Sequence, residues 1–385
     1  MHDAAMSETT RLIHGNAAAL SERTPAPPIQ RGSTVLLDGV KAMSDPAIVN
    51  YGRSGLITHK TLRHALRDLE HADDAFLYPS GLAAITGTLF AVLSAGDEIL
   101  LCDSVYNPTR RFLAGTLARF GVTARYYAPS ATAAEIVAMA IPATRAIMLE
   151  SPGSLTFEMQ DVPDIARLAR SAGILTLIDN TWAAGMLFKP LDHGVDVSVQ
   201  ALTKYVCGHS DVFMGSAAVR GDLVETLARS SYEIGWSVSP DDAYAAVRGL
   251  RTLHTRLAHH GKSALAVAQW LEQQPEILSV MCPGLPTDPG HAIWKRDFTG
   301  LSGLIGIVLR PEVANRVPDM IETLSLFGLG YSWGGFESLA IPADPQLESR
   351  TCGHRYAGPV VRLHIGLEDV SDLIDDLRRG LDALH

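Results

Sequence analysis

Short apolar runs alternate with helical patterns through the middle of the chain. Four runs of branched and apolar side chains predict buried parallel strands, at residues 98–102, 145–149, 174–178 and 195–199. Between the second and third runs, Pro163 suits the first turn of a helix and Gly173 suits its end, so residues 164–172 are predicted as a crossover helix. Strands and helices in this order predict an α/β fold, in which helices cover both faces of a mostly parallel sheet.

The two ends of the chain lack this alternation. Residues 1–56 have little periodicity and contain several prolines, which predicts an arm rather than a packed core. Beyond a long helical stretch at residues 240–273, the pattern predicts a smaller α+β domain from two strands and a closing helix, at 303–309, 360–365 and 370–384. The predicted division is an N-terminal arm, an α/β domain and a C-terminal α+β domain, at 1–56, 57–247 and 248–385.

Composition excludes several classes of function. The 385 residues carry a formal charge of -10, and their lysines and arginines are dispersed, so a nucleic-acid partner is not expected. The sequence has no apolar run long enough for a membrane span and no basic leader before an apolar stretch, which predicts a cytoplasmic protein that does not bind membranes.

Cysteines and histidines give no sign of a disulfide framework or a metal site. The four cysteines lie far apart without a Cys-x-x-Cys pair, so free thiols are expected. The helical stretch holds His254, His259 and His260 without carboxylates at metal spacing. We therefore predict no metal and interpret these histidines as surface or interface residues.

An aspartate and a lysine follow two of the predicted strands. Asp179 ends an apolar strand, where open α/β sheets bind ligands, although it could instead cap the next helix. Lys204 follows another strand by a few residues, and a solvated surface charge is its ordinary alternative. A carboxylate for a pyridine nitrogen and a lysine for an aldehyde are the contacts that pyridoxal phosphate needs from a protein.

Two segments could bind a phosphate group. At residues 79–84 a turn runs into an apolar helix, so the backbone N–H groups of Gly81 and Leu82 could face an anion; a simple Ser80 N-cap is the alternative. At the end of the arm, Tyr51 and Arg53 could grip a phosphate from outside the domain, although a solvated arginine is the usual case.

Further candidates could contact a ring or a substrate. Tyr106 follows a strand and could lay its ring over a flat heteroaromatic group, or it could pack in the core. Arg362 stands inside an apolar strand, where its partner could be a substrate carboxylate or an internal salt bridge to Glu368 or Asp369. Residues 331–337 mix aromatic residues, glycines and one acid, and could wall a pocket or form a well-packed turn.

Taken together, these segments resemble the pyridoxal phosphate enzymes of cysteine and methionine metabolism, with their aspartate-aminotransferase-like (type I) fold. The resemblance covers nearly the whole chain and rests on the motifs YGRSGLITH, SGLAA, DNTW, TKY, GHSD and RGLRTL, which begin at residues 51, 80, 179, 203, 208 and 248. It implies a homotetramer, assembled from two dimers with shared active sites.

The resemblance also implies roles for the candidate residues. Lys204 would hold the cofactor and move protons, Asp179 would pair with the pyridine nitrogen, and Tyr106 would stack on the ring. The cofactor phosphate would contact Gly81, Leu82, Thr203 and, from a neighbouring subunit, Tyr51 and Arg53. Arg362 would bind the substrate α-carboxylate, and the side-chain end of the pocket would be shaped by Tyr331, Ser332 and Trp333.

Within the family, three segments resemble the members that cleave cystathionine at its β-carbon into homocysteine, pyruvate and ammonia: YSWGG, WKRDFT and RLHIGLED, which begin at residues 331, 294 and 362. Cysteine desulfhydrase, methionine γ-lyase and a non-catalytic regulatory protein that binds the cofactor remain alternatives. Two departures are Ala201, where many relatives carry a serine that contacts the phosphate, and Phe336, where some carry a tyrosine.

Overall fold

The computed structural model describes residues 7–14, 24–45, 47–352 and 355–385. Parts of the predicted arm, at 1–6, 15–23 and 46, lie outside these residues. Within them, a seven-stranded sheet has the order β1-β7-β6-β5-β4-β2-β3. Its strands are β1 (Asp74–Tyr78), β2 (Glu98–Cys102), β3 (Thr123–Tyr127), β4 (Thr144–Glu150), β5 (Leu175–Asp179), β6 (Val197–Gln200) and β7 (Gly215–Val219).

A second, five-stranded sheet follows along the chain in the described residues, with the order β10-β11-β12-β9-β8. Its strands are β8 (Ile277–Met281), β9 (Leu304–Leu309), β10 (Gly328–Leu329), β11 (Leu339–Pro342) and β12 (Val360–His364). The α-helices are α1 (Glu8–His14), α2 (Ile57–Leu69), α3 (Gly81–Val92), α4 (Asn107–Phe112), α5 (Ala133–Ala138), α6 (Val162–Ser171), α7 (Leu223–Ile234), α8 (Pro240–Leu271), α9 (His291–Asp297), α10 (Val317–Thr323), α11 (Asp344–Leu347) and α12 (Val370–Asp382).

Both faces of the large sheet are buried, which is why its strands consist of nearly continuous apolar runs. Alternate residues of β2 point to opposite sides: Leu100 belongs to the core shared with α2, α5, α6 and α8, and Leu101 to the core shared with α3 and α7. Strands β3, β2, β4, β5 and β6 pair in parallel, and only β7 runs antiparallel to its neighbours β6 and β1. The predicted fold class is therefore confirmed.

The four predicted parallel strands correspond to β2, β4, β5 and β6, with ends shifted by a residue or two. The crossover helix is α6, where Asp161 caps the N-terminus by accepting from the Asp164 N–H. The second sheet and α12 form where the smaller α+β domain was predicted. The proposed boundary at residue 247 falls within α8, and the three-part division of the chain stays a prediction.

The packing of α8 corrects one interpretation. His260 was predicted at the surface or an interface, but it is fully buried, and its Nδ1 lies 2.8 Å from the Ile365 carbonyl oxygen. Helical periodicity places His260 on the apolar side of α8, and only the tertiary packing, which brings His364 and Ile365 to that side, shows that it is covered. Among the described helices, none is long and apolar enough to cross a membrane.

Candidate active site

A cavity of about 790 Å3 lies at the carboxyl ends of the parallel strands. This edge is where open α/β sheets bind ligands, because the loops that follow the strands converge there. The cavity brings together ten of the twelve predicted site residues: Gly81, Leu82, Tyr106, Asp179, Thr203, Lys204, Tyr331, Ser332, Trp333 and Arg362.

Lys204 lies in the turn after β6, and its ammonium group faces the cavity. Nζ donates to Ser332 Oγ at 2.6 Å and lies 5.2 Å from the centre of the Trp333 ring. Burial, followed by the positive charge of Arg362, lowers the pKa of Lys204 from 10.5 to about 8. About one amine in ten is therefore uncharged at pH 7, in the form that a nucleophile or base requires.

Asp179 ends β5 and is oriented by the residue two positions later. Its Oδ1 accepts from the Thr181 N–H at 3.0 Å and from the Thr181 hydroxyl at 2.5 Å. Asp179 therefore stabilises a local turn and does not cap a helix. Burial raises the pKa of Asp179, while these two bonds and Lys204 lower it. No described residue forms an ion pair with this carboxylate, so a cation in the cavity would find it available.

The N-terminus of α3 forms another wall of the cavity. Ser80 caps the helix by accepting from the Ala83 N–H at 3.1 Å. The cap uses the Ala83 N–H and leaves the N–H groups of Gly81 and Leu82 for an anion. The N–H groups of Gly81 and Leu82 belong to the first turn, which lacks intrahelical acceptors. A Cβ at Gly81 would lie 2.4 Å from the Ala201 Cβ, so glycine is required for the helix to approach the Lys204 turn.

Thr203 and Tyr106 line the cavity in different ways. The Thr203 hydroxyl donates to the Met214 carbonyl at 3.1 Å and accepts from the Met214 N–H at 2.9 Å. Tyr106 caps α4 and is 40% exposed, so it lies outside the core and its ring is available to a ligand. Burial, followed by Asp179 and Glu150, raises the pKa of its phenol.

Arg362 is 3% exposed and has no carboxylate partner among the described residues. It donates to the carbonyls of Ser332 and Gly330, at 2.9 Å and 3.3 Å, and its buried Nε has no hydrogen-bond partner in the described part of the chain. The alternative of a salt bridge to Glu368 or Asp369 is wrong.

Both of those acids have other partners. Glu368 accepts from Ser338, and Asp369 caps α12. Burial lowers the pKa of Arg362 to about 10, so the guanidinium is still charged at neutral pH and is suited to a carboxylate ligand.

Tyr51 and Arg53 do not line this cavity. Arg53 Nη1 donates to the Tyr232 carbonyl at 2.7 Å, and its guanidinium lies 4.4 Å from the centre of the Tyr232 ring. Tyr51 is 45% exposed. The same arm exposes Leu36 and Val40, at 92% and 83%, so an apolar surface accompanies these two residues.

Sequence reasoning missed Glu150, which also lines the cavity. It ends β4 beside Asp179 in the parallel register and accepts from the Tyr106 N–H at 2.7 Å. Burial, followed by Asp179, raises the pKa of Glu150 well above its ordinary value. The rule that selected Asp179, an acid at the carboxyl end of a predicted strand, also applies to Glu150. The cavity is further lined by Arg111 and Gln346, which had no distinguishing sequence signal.

The charges of the cavity fit pyridoxal phosphate. A partly neutral amine at Lys204 suits its aldehyde, the carboxylate of Asp179 suits a protonated pyridine nitrogen, and the free N–H groups of α3 suit its phosphate. The fit rests on the part-buried carboxylate of Asp179, which faces the cavity and forms no ion pair with any residue that the structure describes.

Comparisons with known proteins agree with this assignment. The family model described as Cys/Met metabolism PLP-dependent enzyme matches residues 9–382. Two similar proteins are the cystathionine beta-lyase MetC of Escherichia coli, 42% identical over 364 residues, and the cystathionine beta-lyase of Salmonella typhimurium, 41% identical over 364 residues; each alignment covers 91% of this chain and 92% of the relative.

The fold has solved counterparts. The crystal structure of metB from Corynebacterium glutamicum matches with a TM-score of 0.92 and 28% sequence identity, over 99% of both chains. The cavity, the family match and these relatives lead to one conclusion. The chain belongs to the Cys/Met metabolism PLP-dependent enzyme family.

Proposed function

We propose that the protein is a pyridoxal-phosphate-dependent carbon–sulfur lyase that cleaves L-cystathionine, with uptake of one water, into homocysteine, pyruvate and ammonia. One observation carries the proposal: a single cavity unites the amine of Lys204, the carboxylate of Asp179 and the guanidinium of Arg362, which has no carboxylate partner among the described residues. The cystathionine beta-lyases of two bacteria are also similar to the chain over most of its length.

Within one chain, three side chains and a helix terminus would hold the cofactor. Lys204 Nζ would bind its aldehyde, Asp179 would accept from its ring nitrogen, and Gly81 and Leu82 would donate to its phosphate. Tyr106 would cover one face of the ring. Bound pyridoxal phosphate supplies an electron sink for the charge left at the substrate α-carbon.

The protein's own groups would position the substrate and move its proton. Arg362 would bind the α-carboxylate and thereby fix the α-carbon near Lys204. Lys204 Nζ, with a pKa lowered to about 8, would accept the α-proton near neutral pH. Ser332 Oγ, which accepts from Nζ at 2.6 Å, would hold the amine in place between steps. Tyr331 and Trp333 would bound the side-chain end of the substrate.

We also propose that each active site is completed by a second subunit. Tyr51 and Arg53 lie on an exposed apolar arm, outside the cavity of their own chain, and would reach the cofactor phosphate of a neighbour. A dimer would be the smallest active unit, and the proposed assembly is a homotetramer of two dimers. The predicted cytoplasmic location stays a prediction, to be checked by cell fractionation.

Subunit mixing tests the shared site. Arg53→Ala and Lys204→Ala are each expected to be nearly inactive, but mixed dimers would contain one site with both residues intact. Co-refolding the two variants should therefore restore up to about a quarter of the wild-type activity, if each chain joins at random and cofactor is in excess. Light scattering gives the assembly size. A fully active monomer, or no recovery in verified mixed dimers, would refute this part of the proposal.

Turnover with a pyruvate readout tests the reaction itself. The purified protein, loaded with pyridoxal phosphate, is expected to show the visible absorption of lysine-bound cofactor and to release pyruvate from L-cystathionine. Lys204→Ala should lose both. Faster turnover of L-cysteine or L-methionine would favour the desulfhydrase or γ-lyase alternative, and cofactor binding without turnover would favour the regulatory alternative.

A further inference from the structure

The loop of residues 330–337, called here the Trp333 loop, lies directly against the catalytic lysine. Ser332 Oγ accepts from Lys204 Nζ at 2.6 Å, and Trp333 lies beneath the same amine. A Cβ at Gly334 would lie 2.9 Å from the Lys204 carbonyl carbon, so the loop backbone contacts the lysine backbone as well. The position of this loop therefore sets the surroundings of Nζ.

The backbone of the Trp333 loop is in an uncommon conformation at Ser332. Gly334 has φ +89°, which glycine adopts readily. Ser332 has φ +78°, in the left-handed region that is uncommon for residues with a side chain. Such a conformation persists only where neighbouring groups fix it from several directions. The loop therefore requires an external scaffold.

Strand β12 supplies that scaffold from one of its faces. Arg362 and His364 are two residues apart, so their side chains leave the strand on the same side. Arg362 donates to the carbonyls of Gly330 and Ser332 and holds the first half of the loop. The role of His364 in the second half follows from its two ring nitrogens.

His364 bridges two backbone groups of the loop. Its Nε2 accepts from the Gly334 N–H at 2.9 Å, and its Nδ1 donates to the Glu337 carbonyl at 3.0 Å. Because Nε2 must be an acceptor, the ring is neutral with its proton on Nδ1. The side chain is fully buried, so water cannot replace either bond.

We propose that His364 is a positioning residue for catalysis. It fixes the second half of the Trp333 loop, and through Ser332 and Trp333 it sets the environment of Lys204 Nζ and the side-chain wall of the substrate site. The effect on substrate rests on the proposed lyase function, whereas the effect on Lys204 does not. A rigid ring with an acceptor and a donor at opposite ends spans Gly334 and Glu337, which a single hydroxyl cannot do.

Three variants test this role. His364→Leu removes both bonds and keeps a similar volume, while His364→Gln retains an amide with one acceptor and donors. The matched control is His260→Leu: His260 is also fully buried, with its ring 5.4 Å from that of His364, but it contacts the Ile365 carbonyl rather than the loop. All three are compared as holoenzymes with the wild type.

Two readouts separate positioning from stability. The first is the pH titration of the visible cofactor band without substrate, which reports the environment of Lys204. The second is the kcat and KM for L-cystathionine. The melting temperature of each variant is measured as well and reports its stability. His364→Leu should shift the titration midpoint by about one pH unit, the size of one altered hydrogen bond to a charged amine. It should also lower kcat/KM by roughly ten- to a hundredfold.

The other variants define the specificity of the effect. His364→Gln should recover most of the lost kcat/KM, and His260→Leu should lower the melting temperature without moving the titration midpoint. If His364→Leu does not fold, His364→Asn replaces it; the shorter amide cannot reach the Gly334 N–H, so it must shift the midpoint too. Wild-type titration and kinetics in folded His364→Leu, or in folded His364→Asn where it replaces the leucine variant, would overturn the proposal. An equal midpoint shift in His260→Leu would overturn it too.

The two proposals fail separately. If the wild type shows the cofactor band but does not cleave cystathionine, the lyase function is refuted and the band titration still decides the role of His364. If the wild type cleaves cystathionine and the titration is unaltered in folded His364→Leu or His364→Asn, only the role of His364 is refuted.

Discussion

The lowered pKa of Lys204 has a measurable consequence in the apoprotein. An ordinary lysine with a pKa of 10.5 would have about one neutral amine in three thousand at pH 7. With the pKa of Lys204 lowered to about 8 by burial and Arg362, about one amine in ten is neutral. Only the neutral amine attacks an aldehyde, so pyridoxal phosphate should attach roughly 300-fold faster at pH 7 than it would to an ordinary lysine.

Arg362→Leu tests the electrostatic part of this effect. Removing the guanidinium removes a positive charge that disfavours the protonated amine, so the pKa of Lys204 should rise. Burial, the larger cause, persists in the variant, so the pKa should stay below 10.5. The matched control is Arg111→Leu, which removes an exposed arginine from the same cavity. It should leave the pKa of Lys204 nearly unchanged because exposed charges are screened by water and salt.

The assay is the rate of cofactor attachment, followed as the growth of the visible band from about pH 6 to about pH 10.5, a range that spans both pKa values. The wild-type rate should rise with pH and level off above a midpoint near 8, and Arg362→Leu should move this midpoint upward. If the midpoint of the wild-type rate lay near the pKa of a free lysine, the lowered pKa of Lys204 would be refuted. An unmoved midpoint in folded Arg362→Leu would refute its coupling to Arg362.

Three further outcomes are expected. Lys204→Met should raise the melting temperature of the apoprotein below about pH 8, because the folded-state pKa of Lys204 is lowered; this advantage should shrink as pH rises from 8 to 10.5, where the unfolded lysine also loses its proton. Asp179→Asn should lower kcat by at least about a hundredfold with an unchanged circular dichroism spectrum, since the carboxylate would no longer stabilise a protonated ring nitrogen. Gly334→Ala should lower the free energy of unfolding in urea by about 1–3 kcal/mol, because its Cβ would meet the Lys204 backbone at φ +89°; Gly115→Ala, with nothing within 4 Å, should cost less.

Local sequence signals were sufficient for the fold class and for the core of the large sheet. The runs that became β2, β4, β5 and β6 are apolar at nearly every position because both faces of the sheet are covered. Proline near the first turn and glycine after the last turn located the crossover helix α6. These signals depend on a residue and its near neighbours, so they can be seen in the sequence.

The partners of buried polar groups were less predictable. The position of Arg362 inside a buried strand showed that it needs a partner, and a salt bridge was one alternative. The structure instead gives it hydrogen bonds to two backbone carbonyls. His260 was assigned to the surface although it is buried. In both cases the answer depends on which distant segment packs against the strand or helix, and local sequence pattern does not identify that segment.

The sequence by itself determined the fold class and selected Lys204 and Asp179, since their positions after apolar strands follow from hydrophobic pattern and chain order. Only the tertiary structure decided that Arg362 shares their cavity, that Glu150 stands beside Asp179, and that His364 holds the loop against Lys204. The physical reason is that pattern reflects secondary structure and the apolar faces of strands and helices. The burial of individual polar side chains, and their hydrogen-bond and charge partners, are fixed by contacts between segments distant along the chain.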